Sequence, residues 1–361
     1  MTRPATQVSD DASGNKLKAT PNDVHLLILH EGSDLPAGRP CTVPAQTDGE
    51  LGSGVRTCVV STSRVVSTPF PFNDLVPSWN VDVPPGAGFA VELRVGRKQG
   101  DFWTPFYYLG AWGQAPPVEP KVLRDASGFI NIDYFQSTHP FDRVQYRFRM
   151  EAGDDGKRPV VRRVALACSN TLNHPDVARV HRAAIDPGQA EKWARRLPVP
   201  FRSQKWEDPK ISGSVCSPTS TAMVMAYHGV NVPTAMVCAT LWDREYRIYG
   251  NWWRAVQGAY SHGVPGYLER FGDWNAVKRH IAAGRPVIAS IRASQDELQN
   301  APYRESDGHL LVITGFDAGG NVAVNDPAAA TPEQGVTTYR REDMEKVWLQ
   351  RGGVGCVLLP R

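Results

Sequence analysis

Gly213-Ser214-Val215-Cys216-Ser217-Pro218-Thr219-Ser220-Thr221-Ala222-Met223 sets a single cysteine at the threshold of a helix-like run that continues through Val224-Met225-Ala226-Tyr227. Pro218 suits a first helical turn, where a missing N–H loses no internal bond. Gly213 and Ser214 give a flexible approach to it. A cysteine in this position faces unpaired backbone N–H groups and the positive end of the helix dipole, both of which favour the thiolate. Much later, Gly308-His309-Leu310-Leu311-Val312-Ile313-Thr314-Gly315 offers an imidazole on a strand-like segment, the partner such a thiol needs.

The surrounding segments predict the architecture that carries this pair. Helices are expected at 219–227, 274–283 and 341–348, and strands at 286–291, 310–316, 321–325 and 353–359. Helices beside a mainly antiparallel sheet give an α+β domain, assigned to 198–361. Upstream, 54–170 reads as strands at 55–60, 89–95, 103–109, 129–134, 143–150 and 160–167. Ala90-Val91-Glu92-Leu93-Arg94-Val95 and Val144-Gln145-Tyr146-Arg147-Phe148-Arg149-Met150 alternate with period two, so each sheet must bury one face against another. The expectation is an all-β sandwich. Residues 1–53, with a strand-like Val24-His25-Leu26-Leu27-Ile28-Leu29-His30, are read as an extension of it. Residues 171–197 form a linker with helix-forming patches around Gln189 to Arg196, and it ends at the stiff junction Pro198-Val199-Pro200.

Composition narrows the function classes. Forty basic and 37 acidic residues are interspersed and leave a formal charge of +3, which offers neither a nucleic-acid tail nor a polybasic membrane patch. No window approaches a membrane span, and Met1-Thr2-Arg3-Pro4-Ala5-Thr6-Gln7 has no signal-peptide pattern. Six scattered cysteines give no metal-ligand pair, and no cofactor site is expected. Cys238 and Cys356 are read either as partners or as separate core thiols. The aromatic residues of the sandwich, among them Trp79, Phe102, Trp103, Phe106, Tyr107, Tyr108 and Trp112, are expected in the core, with a platform for a glycopeptide or polymer as the alternative.

Four motifs occur in order: Pro200-Phe201-Arg202-Ser203-Gln204, the Cys216 stretch, Gly308–Phe316, and Val324-Asn325-Asp326-Pro327. Together they resemble bacteriocin-processing, double-glycine leader cysteine peptidases of the papain-like superfamily, over roughly 198–361. Phe72–Asn80, Trp103 and Gly110-Ala111-Trp112-Gly113 resemble the sandwich that precedes some bacterial cysteine-peptidase-like domains. The resemblance implies that Gln204 donates its amide to the oxyanion, Cys216 attacks, His309 acts as base and acid, and Asp326 orients His309. Such roles agree with the charge that develops on oxygen during acyl transfer. Ser217 departs from the glycine that the family commonly places after the nucleophile.

Each residue taken alone has a plainer reading. A free cysteine packs as a small hydrophobe, Gln204 as a cap, His309 as a hydrogen-bonded strand residue and Asp326-Pro327 as a turn. Asp317 is expected in a hairpin turn, while His228, His262 and His280 are expected to be structural. Asn251-Trp252-Trp253 and Tyr260–Tyr267 are read as core anchors or cleft lining. The expected activity is peptide hydrolysis through a thioester. Cysteine-dependent amide hydrolysis or acyl transfer, and a noncatalytic peptide- or glycan-binding protein, are the alternatives.

Overall fold

The computed structural model describes residues 8–10, 16–19, 25–32, 35–47, 50–171 and 190–360. The first heptapeptide and most of the expected linker, 172–189, lie outside the described residues. The chain divides into two compact units, one mainly of residues 28–172 and the other mainly of 173–361. The first is a β-sandwich and the second an α+β domain.

The sandwich comprises β1 (Val8–Asp10), β2 (Lys16–Ala19), β3 (His25–Glu31), β4 (Arg39–Thr47), β5 (Glu50–Thr62), β6 (Val66–Asp82), β7 (Gly88–Arg97), β8 (Phe102–Trp103), β9 (Tyr107–Gly113), β10 (Phe129–Asn131), β11 (Tyr134–Glu151) and β12 (Val160–Ser169). The first half of β11 pairs with β6, whereas its second half pairs with β5 and β7. The second half of β6 turns to β12. Two long bent strands therefore join the layers. Along β11, Val144, Tyr146, Phe148 and Met150 are buried and alternate with half-buried Arg143, Gln145, Arg147 and Arg149, as period two requires. Trp79 of β6 meets Phe89 of β7 and Phe148 of β11 edge-on, with ring centroids 6.3 and 6.2 Å apart.

Some local expectations need correction. The strand expected at 103–109 breaks at Thr104-Pro105-Phe106, where proline has no N–H for a ladder. The strand at 129–134 turns at Ile132, whose φ is 60°, and its end becomes the start of β11. Strand β6 is absent from the sequence reading because Pro69, Pro71 and Pro77 punctuate it. Trp79, Tyr107 and Tyr108 are core residues. Trp103 lies 4.6 and 4.9 Å from the Arg94 and Arg143 guanidinium carbons, and Phe106 lies 4.8 and 3.9 Å from those of Arg94 and Arg147. Cys41 and Cys58, opposite each other on β4 and β5, form a disulfide that the sequence reading missed.

The second unit contains α1 (Ala190–Trp193), α2 (Cys216–Tyr227), α3 (Thr234–Leu241), α4 (Trp252–Ser261), β13 (Gly266–Arg270), α5 (Trp274–Ala282), β14 (Val287–Ala293), β15 (Ser306–Phe316), β16 (Val322–Asn325), α6 (Pro332–Gly335), β17 (Val336–Tyr339), α7 (Arg341–Val347) and β18 (Val354–Leu358). Its six strands run antiparallel in the order β13-β18-β14-β15-β16-β17. Ser217 through Met225 are buried on every side of α2, so this helix is the centre of the core and not an amphipathic cover. The Ser220 hydroxyl donates to Leu310 O of β15 at 3.0 Å, fixing the helix to the sheet. Residues before the Pro198–Pro200 junction also pack here, with Leu197 N–H donating to Thr314 O at 2.8 Å. Cys238 and Cys356 are separate buried thiols, and burial pushes each up to about 12. Among the described residues, no helix is long and apolar enough to cross a membrane.

Candidate active site

Cys216 is the first residue of α2, three residues earlier than the helix start expected from sequence. It is half-buried, whereas His309 on β15 and Asp326, immediately after β16, are buried. His309 Nε2 lies 2.8 Å from Asp326 Oδ1. That bond leaves Nδ1 as the ring nitrogen for the thiol, and His309 is near enough to Cys216 to act on its ionisation. Histidine and aspartate thus form a bonded pair between β15 and the end of β16, with the cysteine at the start of the buried helix α2. Asn325 points elsewhere: its amide donates to Val199 O at 2.9 Å.

Electrostatics favour separated charges in this chain. Burial would raise the Cys216 thiol, but the hydrogen bond and charge of His309, followed by backbone hydrogen bonds from Leu310 and Ser217, lower it below its ordinary value. Burial likewise opposes an imidazolium, yet the charge and hydrogen bond of Asp326, then Cys216, push His309 up to about 10. Asp326 is held below the ordinary carboxylate range despite burial, chiefly by His309. A thiolate beside an imidazolium is a ready nucleophile next to a proton donor.

Asp326 is also held by residues absent from the sequence reading. Oδ1 accepts from Ala328 N–H at 3.0 Å, while Oδ2 accepts from Tyr339 OH at 2.8 Å and Tyr303 OH at 3.1 Å. The Tyr303 ring lies 4.9 Å from the imidazole centroid, inclined at 64°. Burial and then the Asp326 charge push both phenols well above their ordinary range, so they remain donors.

Gln204 lies in a short turn at 204–206 and is buried. Its backbone N–H donates to Pro327 O at 2.9 Å, tying the turn to the segment after Asp326. Its side-chain Nε2 donates to Ser212 O at 2.8 Å, in the loop leading to Cys216. The second Nε2 hydrogen remains for another acceptor, and the buried Oε1 has no hydrogen-bond partner. Trp206, 58% exposed, donates its indole N–H to Ala330 O at 2.9 Å and so adds a second tie between these segments.

The other titratable candidates have separate roles in packing. His228 bonds Leu358 O, His262 bonds Thr240, and His280 pairs with Glu269, each at 3.1 Å. Asp317 accepts from Asn321 at the β15–β16 turn. Among the described residues, no group of three or more His, Cys, Asp or Glu is arranged to hold a metal ion.

Residues 196–356 match the sequence model of the Peptidase C39 like family. The C-terminal region of this chain is thus similar to that family. Residues 38–169 match the Peptidase C39 N-terminal domain, so both units have counterparts in the same peptidase context. The chain is accordingly an enzyme of the cysteine-peptidase type.

Among solved structures, a double glycine motif protease from an AMS/PCAT transporter, crystallised with the leader peptide, is 21% identical. That match covers 46% of this chain and 94% of that chain, with a TM-score of 0.33. A structure of infectious bursal disease virus, Gt strain, is 12% identical over 48% of this chain and 39% of that one, with a TM-score of 0.21. No curated protein gives a significant match.

Proposed function

We propose that this C39-type enzyme hydrolyses peptide bonds through a thioester on Cys216. The observation that carries the reading is the buried His309–Asp326 hydrogen bond beside Cys216 at the start of α2, with the thiol lowered and the imidazole raised. The Cys216 thiolate attacks the scissile carbonyl carbon, forming the C–S bond while the carbonyl electron pair moves onto oxygen. The free Gln204 Nε2–H and the Cys216 backbone N–H at the helix start suit that developing charge. When the tetrahedral species collapses, His309 Nδ1–H protonates the departing amine as the C–N bond breaks. Neutral His309 then takes a proton from water, hydroxide adds to the thioester, and the C–S bond breaks to release the acid and restore the thiolate. Asp326 holds the imidazole through Nε2 in every step.

Labelling with an electrophilic peptide probe tests this reading. Wild type is expected to form one adduct at Cys216, and Cys216→Ala none; equal labelling of both would reject the assignment. Product masses from peptide and non-peptide amide substrates then separate peptidase from amidase or acyltransferase activity, and turnover confined to non-peptide amides would exclude the peptidase.

The sandwich enters the proposal as a substrate-binding element for a peptide or glycopeptide. Guanidinium groups lie over Trp103 and Phe106, which favours polar or charged substrate groups over a stacked sugar ring. Arg94→Gln in the full chain should raise KM for a bound substrate and leave kcat unchanged. No change in KM would remove this element from the proposal.

A further inference from the structure

We infer that Tyr303 and Tyr339 are positioning residues of the proposed peptidase, clamping Asp326 Oδ2 so that Oδ1 is presented to His309. This inference rests on the reading of Cys216, His309 and Asp326 as the reacting chain. An ionised carboxylate offers about four acceptor positions. In this protein four donors fill them: His309 Nε2 and Ala328 N–H on Oδ1, and Tyr339 and Tyr303 on Oδ2. Asp326 is fully buried, so these protein groups replace its water shell.

The two donors on Oδ2 fix rotation about the bond to the carboxyl carbon. With that rotation fixed, Oδ1 stays 2.8 Å from Nε2 while His309 gives and regains its Nδ1 proton. Phenols suit this task because they stabilise a carboxylate without carrying a competing charge. A second cation in place of either would oppose the imidazolium.

The tyrosines arrive from different directions. Tyr339 ends β17 and is 1% exposed, giving the shorter bond at 2.8 Å. Tyr303 comes from the loop between β14 and β15 and is half-buried. Its hydroxyl reaches Asp326 while its ring packs against His309. The titratable groups facing the pair are Cys216 from α2, Tyr303 from the loop and Tyr339 from β17.

Tyr339→Phe and Tyr303→Phe remove one donor each and keep the rings. The pH profile of Cys216 alkylation by iodoacetamide, followed by intact mass, reads the ion pair without any substrate. Each variant should bring the high-pH limit of the His309 proton down by about half to one pH unit, with the larger effect in Tyr339→Phe. Turnover should fall about three- to tenfold through kcat in each variant. A lowered melting temperature with an unmoved profile would make the tyrosines merely structural and overturn the inference. If Tyr339→Phe does not fold, the half-buried Tyr303 decides the question by the same measurement. A wild-type profile like that of an ordinary thiol would reject the peptidase reading itself; a wild-type ion pair with unmoved variants would reject only the clamp.

Discussion

Replacing Asp326 with asparagine removes one charge and changes almost nothing in shape, so its effect on the thiol can be worked from the structure. His309 keeps its proton up to about pH 10, and Cys216 loses its proton below the ordinary 9.0. The ion pair therefore exists from the lowered Cys216 value up to about pH 10, fails at low pH when the thiolate is protonated, and fails at high pH when His309 is deprotonated. Asp326 is the leading influence that raises His309, so Asp326→Asn brings that upper limit down toward 6.5. At pH 8 an imidazole titrating near 10 is about 99% protonated and one near 6.5 about 3%, so the loss of ion pairs has a ceiling of about thirtyfold. The backbone donors of Leu310 and Ser217 still favour the thiolate, so the expected fall in alkylation rate at pH 8 is about five- to thirtyfold. The asparagine NH₂ must also face either the His309 Nε2–H and Ala328 N–H, a donor–donor conflict, or the two phenols, whose hydroxyls must then turn to accept from it. The assay is iodoacetamide alkylation of Cys216 from pH 4 to 11, resolved by peptide mass. Superimposable profiles for wild type and Asp326→Asn would refute the electrostatic reasoning.

Gln204→Ala should lower kcat about 100-fold with little change in KM, because a lost oxyanion donor acts on the transition state. The melting temperature should hold or rise, since the buried Oε1 without a partner is removed with it. Steady-state kinetics and a thermal melt check both halves. Ser217→Ala should leave kcat within about twofold and stabilise the chain by up to about 1 kcal/mol, because the Ser217 hydroxyl is fully buried without a partner; a tenfold fall in kcat would instead make that hydroxyl a substrate contact. The double substitution Cys41→Ser, Cys58→Ser opens a loop with a sequence separation of 17 and should destabilise the sandwich by about 3 kcal/mol. Urea denaturation followed by tryptophan fluorescence measures that loss, and kcat at 20 °C should be unchanged.

The fold class was legible because burial imposes periodicity. Val144 to Met150 alternate where one sheet face is covered, and the apolar stretch Ala222 to Met225 forms a central helix. Elements whose local chemistry argues against their final state were not legible. Strand β6 contains three prolines, and only its pairing with β11 and β12 accommodates them. Helix α4 begins at Trp252 after Asn251, whose side chain donates to Asp243 Oδ2 at 3.0 Å instead of capping the helix; Trp253 is buried and Trp252 donates to Ser290 Oγ at 3.1 Å. The Cys41–Cys58 pair depends on strand register, a long-range property that spacing in the chain does not reveal.

The site divides along the same physical line. Cys216 and His309 stand out in sequence by local setting, a helix start and an apolar strand, whereas Asp326 is distinguished from Asn325 only by its place in the motif of the resembled family. Their protonation states have no such local signature. The His309 value depends on burial, on Asp326 and on Cys216, and Asp326 in turn is solvated by hydroxyls 23 residues before it and 13 residues after it. Tyr303 lies in an exposed polar loop and Tyr339 closes a short strand, so neither sequence context distinguishes it from an ordinary surface or packing tyrosine. Only the close approach of the loop, β17 and the end of β16 turns two neutral phenols into donors for one buried carboxylate. The nucleophile can therefore be read from its immediate neighbours, whereas its ionisation is a property of the assembled sheet.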